Sequence, residues 1–224
     1  MQPRTLALII TILPFIITNI VFIVSAYEGH ISWCIPNIEG CASISKAARN
    51  GSSLFIFRAT MIAYGVLLIW FWIYVREWLD HLYGKRTAIA NVILWMGVAG
   101  ALSLIVYVDF LGTAGEFNRF MRRFGIFIYF ICIPLAQILL LRQHYHIAPS
   151  LPKGVIKPWY LKFQLFIILL MLLIGIVSGA MEATYIKTNE SENIAEWNLA
   201  LLMQLYFLIM VFIWKEYKYH LKYR

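Results

Sequence analysis

The chain has 224 residues, of which 62 % are hydrophobic and only 13 % charged, with a mean hydropathy of +0.75. Soluble domains carry about a quarter charged residues, so a soluble class is excluded from the start. The formal charge of +8 is spread along the chain with no nucleic-acid-reading module around it, which argues against a nucleic-acid partner.

Six runs contain no Asp, Glu, Lys or Arg: Thr5 to Tyr27, Ala59 to Val75, Thr87 to Val108, Phe124 to Leu141, Phe163 to Met181 and Trp197 to Trp214. A helix needs about 20 apolar residues to cross about 30 Å of hydrocarbon, and each run lies in or near that range. The runs do not alternate in polarity, which excludes barrel strands and leaves helices to satisfy the backbone. The expected fold class is therefore all-α: one polytopic domain over residues 1–224, a bundle of six transmembrane helices. Its spans are placed at about 5–27, 54–75, 87–108, 124–141, 160–181 and 195–214. The first run is long and lacks a small-residue cleavage site, so it is expected to be retained as a span.

Charge between the spans sets the orientation. Twelve of the nineteen Lys and Arg residues, but only three of the eleven acidic ones (Glu77, Asp80 and Glu216), fall on the side that holds both termini. Basic residues near span ends resist translocation, so both termini are expected to face the cytoplasm. The tail from Lys215 to Arg224 interleaves basic residues with Tyr217, Tyr219 and Tyr223 and suits an anionic leaflet or simply fixes topology.

The long first loop, Glu28 to Arg58, is then extracytoplasmic. It carries Glu28, His30, Cys34, Glu39, Cys41, Lys46 and Arg49. Cys34 and Cys41 share this loop in a compartment that permits disulfides; they either close a small ring or remain two free thiols. Cys132, alone in the fourth run, reads as a small buried hydrophobe. On the same outer side, Arg58, Asp109, Glu182 and Glu196 stand at span ends. Each alone can mark a boundary, but with Glu28, His30, Arg119, Arg122 and Arg123 they form a candidate polar site at the outer leaflet.

Within the spans, Asn19, Asn91, Gln137 and Gln204 are expected to bond between helices, and Gly175 and Gly179 to allow close helix approach within one chain or between two. Pro14 and Pro134 are expected to bend their helices. No serine-hydrolase elbow, zincin, phosphate-loop or dinucleotide signature is present, and no cofactor is expected. His144 and His146 form an H-x-H pair in an expected cytoplasmic loop without further ligands, so no metal site is expected. If the protein is an enzyme, the acid and base are His30 with Glu28 or Glu196. Asn50-Gly51-Ser52 and Asn189-Glu190-Ser191 match the glycosylation acceptor pattern, both on the expected outer side.

A family resemblance follows from the order of several short motifs. Cys34-Ile-Pro-Asn-Ile-Glu-Gly-Cys-Ala-Ser-Ile-Ser-Lys-Ala-Ala-Arg-Asn-Gly51, then Phe57-Arg58, is similar to a C-x-P-N, S-I-S and aromatic-Arg pattern. Gly29-His30 matches a G-H at the end of the first span, Trp159 to Ile167 the start of the fifth span, and Ile194-Ala-Glu-Trp197 with Tyr206-Phe-Leu the opening of the sixth. Together they resemble the family of the damage-regulated autophagy modulator (DRAM), Frag and Sfk proteins, related to the factors that remodel the lipid of GPI anchors (Cwh-type N-terminal domain). One feature departs: a His near the outer start of the fourth span is replaced by Arg119-Phe-Met-Arg122-Arg123.

The resemblance implies a six-span protein of lipid homeostasis, in lipid distribution between leaflets, phosphoinositide regulation, autophagy signalling or remodelling of lipid-anchored proteins. It carries over His30, Ser43, Ser45, Arg58, Glu196 and Trp197, with Arg122 in place of the missing His. The leading expectation is a non-catalytic protein that binds lipid headgroups at its outer face and modulates lipid organisation or a membrane-protein partner. Arg58 and Arg122, with Arg119, would hold phosphate while Glu28, Glu196 and His30 orient it. The alternatives are a lipid-remodelling acyl-transfer enzyme and, last, a small-solute transporter, which the spans do not favour because they carry no polar path at mid-depth. The membrane would be a bacterial inner membrane or a Golgi, lysosomal or plasma membrane.

Overall fold

A computed structural model describes residues 1–151, 155–186 and 188–217. Among these the chain is helical without strands: α1 (Pro3–Tyr27), α2 (Pro36–Glu39), α3 (Ile44–Ala47), α4 (Gly51–Tyr83), α5 (Ala88–Asp109), α6 (Glu116–Ile147), α7 (Pro158–Ala183) and α8 (Asn189–Tyr217), with a 3-10 turn at Ala148–Ser150. Six of these helices are long and apolar enough to cross a membrane, so the protein is an integral, multi-pass, all-α membrane protein. Of the basic residues in the orientation argument, Lys153, Lys187, Lys218, Lys222 and Arg224 lie outside the described residues, as does the tail beyond Tyr217.

The helices overrun the charge-free runs. α4 extends from Gly51 to Tyr83 and α6 from Glu116 to Ile147, because a helix continues through interfacial charges as long as they reach water or a partner. On α4, Arg76 and Asp80 form an i,i+4 ion pair at 3.2 Å, and Asp80 accepts the Thr87 N–H at 3.0 Å, which closes the tight α4–α5 turn. His144 and His146 are therefore on α6 and not in a loop. His144 is fully buried with Nδ1 2.8 Å from Gln164 Oε1, and His146 stacks on Tyr83. No metal-binding group of His, Cys, Asp or Glu occurs among the described residues.

The long helices run round the bundle in the order α1, α4, α5, α6, α7, α8, and α8 returns to α1. The centre is aromatic: Phe71 and Trp72 of α4 meet Phe207 of α8 edge-on at 5.1 and 5.9 Å, and Trp78 meets Trp214 at 6.3 Å. Flat rings packed edge to face fill space between helices that hydrocarbon solvent gives no reason to collapse.

The close helix approach expected at Gly175 and Gly179 occurs elsewhere. A Cβ on either glycine would meet nothing within 4 Å, because α7 leans on α8 along its first half and diverges from α6. The intimate contacts are at Gly97, where a Cβ would strike the Trp72 ring at 2.2 Å, and at Gly125, where it would strike Ser103 and Tyr107 backbone atoms of α5 at 2.6 and 2.8 Å.

Of the intramembrane amides, Gln137 does join helices: its Nε2 donates to Met203 O at 3.0 Å, and Tyr206 donates back to Gln137 O at 2.7 Å. Asn19 instead bonds Phe15 O one turn back on its own helix. α1 and α6 each run unbroken through Pro14 and Pro134. Cys132 is half-buried beside Gly100, not enclosed.

Candidate functional site

The first loop builds the site. Cys34 and Cys41 are joined by a disulfide with Cα atoms 6.4 Å apart, and the ring they close contains α2 and the left-handed Gly40. Three carbonyls of this segment face α8: Asn37 O accepts Asn198 Nδ2 at 2.9 Å, Gly40 O accepts Asn193 Nδ2 at 2.7 Å and Ala42 O accepts Trp197 Nε1 at 2.9 Å. Asn193, Trp197 and Asn198 are spaced so that successive turns of one helix face meet the loop. Side chains thus satisfy loop carbonyls that no secondary structure reaches. Gly40 is forced twice over: its φ is +65°, and a Cβ would lie 2.3 Å from Glu190 O.

Ser43 has a structural part. Its side chain accepts the Lys46 N–H at 3.0 Å and caps α3, the usual work of an N-cap serine. Trp197 is likewise an anchor, 4 % exposed and edge-on to Phe22 at 5.9 Å.

Arg58 was expected to hold phosphate, but its Nη2 donates to Asp109 O and Leu111 O, the latter at 2.5 Å. The end of α5 leaves carbonyls without intrahelical donors, and a guanidinium reaching them from α4 satisfies them. Arg58 is therefore a staple between α4 and the α5–α6 turn through Nη2, while its Nε is buried without a partner. Asp109 contributes to that staple through its backbone, and its carboxylate, like that of Glu182, is exposed.

Glu28 and His30 do meet, with His30 Nε2 3.4 Å from Glu28 Oε2. Glu28 also accepts the Ser52 N–H at 3.1 Å, so a carboxylate sits on the first turn of α4, where the helix dipole favours negative charge. Hydrogen bonds from Ser52, from its side chain and then its backbone, with the charge of His30 beside it, hold the Glu28 carboxyl below the usual carboxylate range against some desolvation. A depressed carboxylate contributes stability above its ordinary value of about 4.3 and loses that contribution as the pH falls through the folded value. Exchange protection of the first α4 amides, corrected for intrinsic rates, is accordingly expected to fall below about pH 4. In Glu28→Gln protection at neutral pH should already be reduced and the acid step absent; an unchanged acid step would show that Glu28 is not its source.

Glu196 belongs to a different group. It takes a hydrogen bond from the Ser45 backbone and feels the charges of Arg49 and Glu192. Arg49 Nη2 donates to Ser45 Oγ at 3.0 Å. Tyr107, 2 % exposed at the end of α5, points its hydroxyl among Ser45, Arg49, Arg122 and Glu196. That hydroxyl lies alongside Ser45 outside good hydrogen-bonding geometry, and Tyr107 Oη and Arg49 Nε are both buried without a partner. Arg122 on α6 is half-buried and close enough to Arg49, Arg119 and Arg123 to be repelled by each. Arg119 and Arg123 are exposed.

The polar side chains of this face therefore separate into two clusters. Glu28, His30 and Ser52 sit at the α1–α4 junction; Ser45, Arg49, Tyr107, Arg122 and Glu196 sit between α3, α5, α6 and α8. His30 pairs with Glu28, while Glu196 is grouped with Ser45 and Arg49. Tyr107 escaped the sequence reading because a tyrosine at the end of an apolar run is the ordinary signature of a membrane interface. Arg49 was visible as a loop charge, but only the fold turns it inward.

The second cluster is a polar patch with two guanidiniums, one carboxyl group and a buried hydroxyl that still has hydrogen-bonding capacity. Such a patch can accept an anion with oxygens facing both Arg49 and Arg122, because Arg binds phosphate or carboxylate through paired N–H groups. Comparison with models of known protein families, with curated proteins and with solved structures finds no match to this chain in any of the three.

Proposed function

We propose that this multi-pass protein binds the anionic headgroup of a membrane lipid at its extracytoplasmic face and thereby modulates lipid organisation or a membrane-protein partner. The observation that supports this most is the convergence of Arg49 and Arg122, mutually repelling, on the buried and unpartnered Tyr107 hydroxyl. Like charges held together in a partly desolvated place are costly unless an anion joins them. Glu196 lies against Arg49 alone and offsets at most one of the two guanidinium charges, so the group stays net positive. The DRAM, Frag and Sfk resemblance, with its implication of lipid homeostasis, agrees with this reading in kind, and a bacterial inner membrane or a Golgi, lysosomal or plasma membrane would supply such lipids.

The test is mass spectrometry of lipids that co-purify with the full chain in mild detergent. Anionic lipids should be enriched over their share of the membrane. Hydrogen bonds to charged groups contribute about 1.5–3 kcal/mol, so Arg122→Ala is expected to lower retention by about 10- to 100-fold, and Arg119→Ala, which removes an equal but exposed charge, by much less. A bulk-like lipid profile in the wild-type protein, or equal losses in both variants, would end the proposal.

A second reading, lipid remodelling by acyl transfer, draws on the His30–Glu28 pair beside Ser52. Glu28 uses its oxygens on Ser52 and His30, which suits a helix cap better than a poised base. Turnover of labelled lipid by purified protein, abolished in His30→Ala, would reverse this ranking.

A further inference from the structure

We infer that the cleft between α6 and α7 is a slot for one acyl chain of the lipid whose headgroup occupies the Arg49–Arg122 patch; the inference rests on the headgroup reading above. The cleft has a volume of about 380 Å³ and lies at mid-depth of the spans, walled by Phe130, Pro134 and Ile138 of α6, Met171 and Gly175 of α7, and Leu199 of α8. Its lining side chains are apolar, so water has no partners there, and its walls left uncovered would forfeit dispersion contacts. Hydrocarbon is what surrounds it, and hydrocarbon fills it.

From Phe130 to Ile138 the cleft runs eight residues, about 12 Å at the helical rise, a run that part of one extended acyl chain fills. A helix of a second copy at Gly175 is the competing occupant, and the experiment below separates the two.

Continuity supplies the lipid's other end. Leu199 follows Glu196 by three residues on α8, one turn deeper, so slot and patch share that helix face. On α6, Arg123 precedes Phe130 by seven residues and Phe127 precedes Ile131 by four, which places an exposed cation and an aromatic ring on the slot side about 10 Å and 6 Å nearer the outer surface. From Arg122 of the patch to Ile138 is about 24 Å along α6, against about 15 Å for half of the hydrocarbon layer. A chain hung from the patch therefore reaches the slot and crosses the midplane within it.

The experiment uses the full chain in nanodiscs of phosphatidylcholine with a minor share of phosphatidylglycerol bearing a photoactivatable group near the end of one acyl chain. After illumination, peptides are read by mass spectrometry. Labelling should concentrate on residues 130–138 and 168–176 and fall about tenfold in Gly175→Phe, which fills the slot where a Cβ meets nothing. Gly175→Leu should give an intermediate loss, and Leu173→Phe, the same bulk on the exposed side of α7, should leave labelling unchanged. Labelling spread evenly over all lipid-facing helices, or indifferent to Gly175→Phe, would overturn the slot, as would copy-to-copy crosslinking through Gly175→Cys. If neutral phosphatidylcholine carrying the same probe labels the slot equally and Arg122→Ala changes nothing, the slot stands and the headgroup reading fails.

Discussion

Trp197→Ala is expected to lower the stability of the protein by about 4 kcal/mol, within the range for truncating a buried tryptophan. The side chain is 4 % exposed, packs edge-on against Phe22 of α1 and donates its indole N–H to Ala42 O. Removing it opens a void between α1 and α8 and leaves a loop carbonyl without its donor, two costs that act together. Trp197→Phe keeps the ring and loses only the N–H, so its cost should be about 1–2 kcal/mol. Thermal unfolding in detergent separates the two, with about 2–4 °C expected per kcal/mol for a chain of this size. The alanine variant should also lose anionic-lipid retention, because Glu196 is the preceding residue and the loop carrying Ser45 and Arg49 is tied down by the same indole. An alanine variant as stable as wild type would mean that the disulfide ring and the two asparagine bonds hold the loop by themselves.

Gly125→Ala should cost about 3 kcal/mol, at the upper end for overpacking. The added methyl would meet Ser103 O and the Tyr107 N and Cα, all main-chain atoms of a neighbouring helix that cannot rotate away. α5 and α6 must separate, and Tyr107 is carried off from Arg122, which stands three residues before Gly125 on α6. The variant is therefore expected to lose both melting temperature and lipid retention. Gly179→Ala, where a methyl meets nothing, is the control: it should be neutral or slightly stabilising through helix propensity. If Gly125→Ala melted like that control, the α5–α6 crossing would not be as close as described.

The contrast between these two glycines shows where sequence reading stops. Gly175 and Gly179 have the spacing of a packing motif, yet α7 turns that face to the cleft and to lipid. Gly125 stands alone in its span and lies directly against the main chain of a neighbouring helix. Spacing records which residues share a face; it does not record which helix, if any, lies opposite.

Arg58 and Tyr107 make the same point about chemistry. An arginine at the mouth of a span suggests a phosphate contact, but the nearest acceptors are carbonyls 51 and 53 residues away in the chain. Tyr107 gains its importance from Arg49, Arg122 and Glu196, brought from a loop and two other helices. Both arrangements depend on long-range packing, which no local pattern specifies.

What the sequence by itself determined is the six-helix, membrane-spanning architecture, since hydrocarbon tolerates neither stray charge nor an unpaired backbone and both constraints are written residue by residue. The tertiary structure alone decided which charges stay at the boundary, which become staples and which converge on an unpartnered hydroxyl. Those roles depend on distances between helices, and a short shift along one helix would redistribute them without altering the hydropathy of any span.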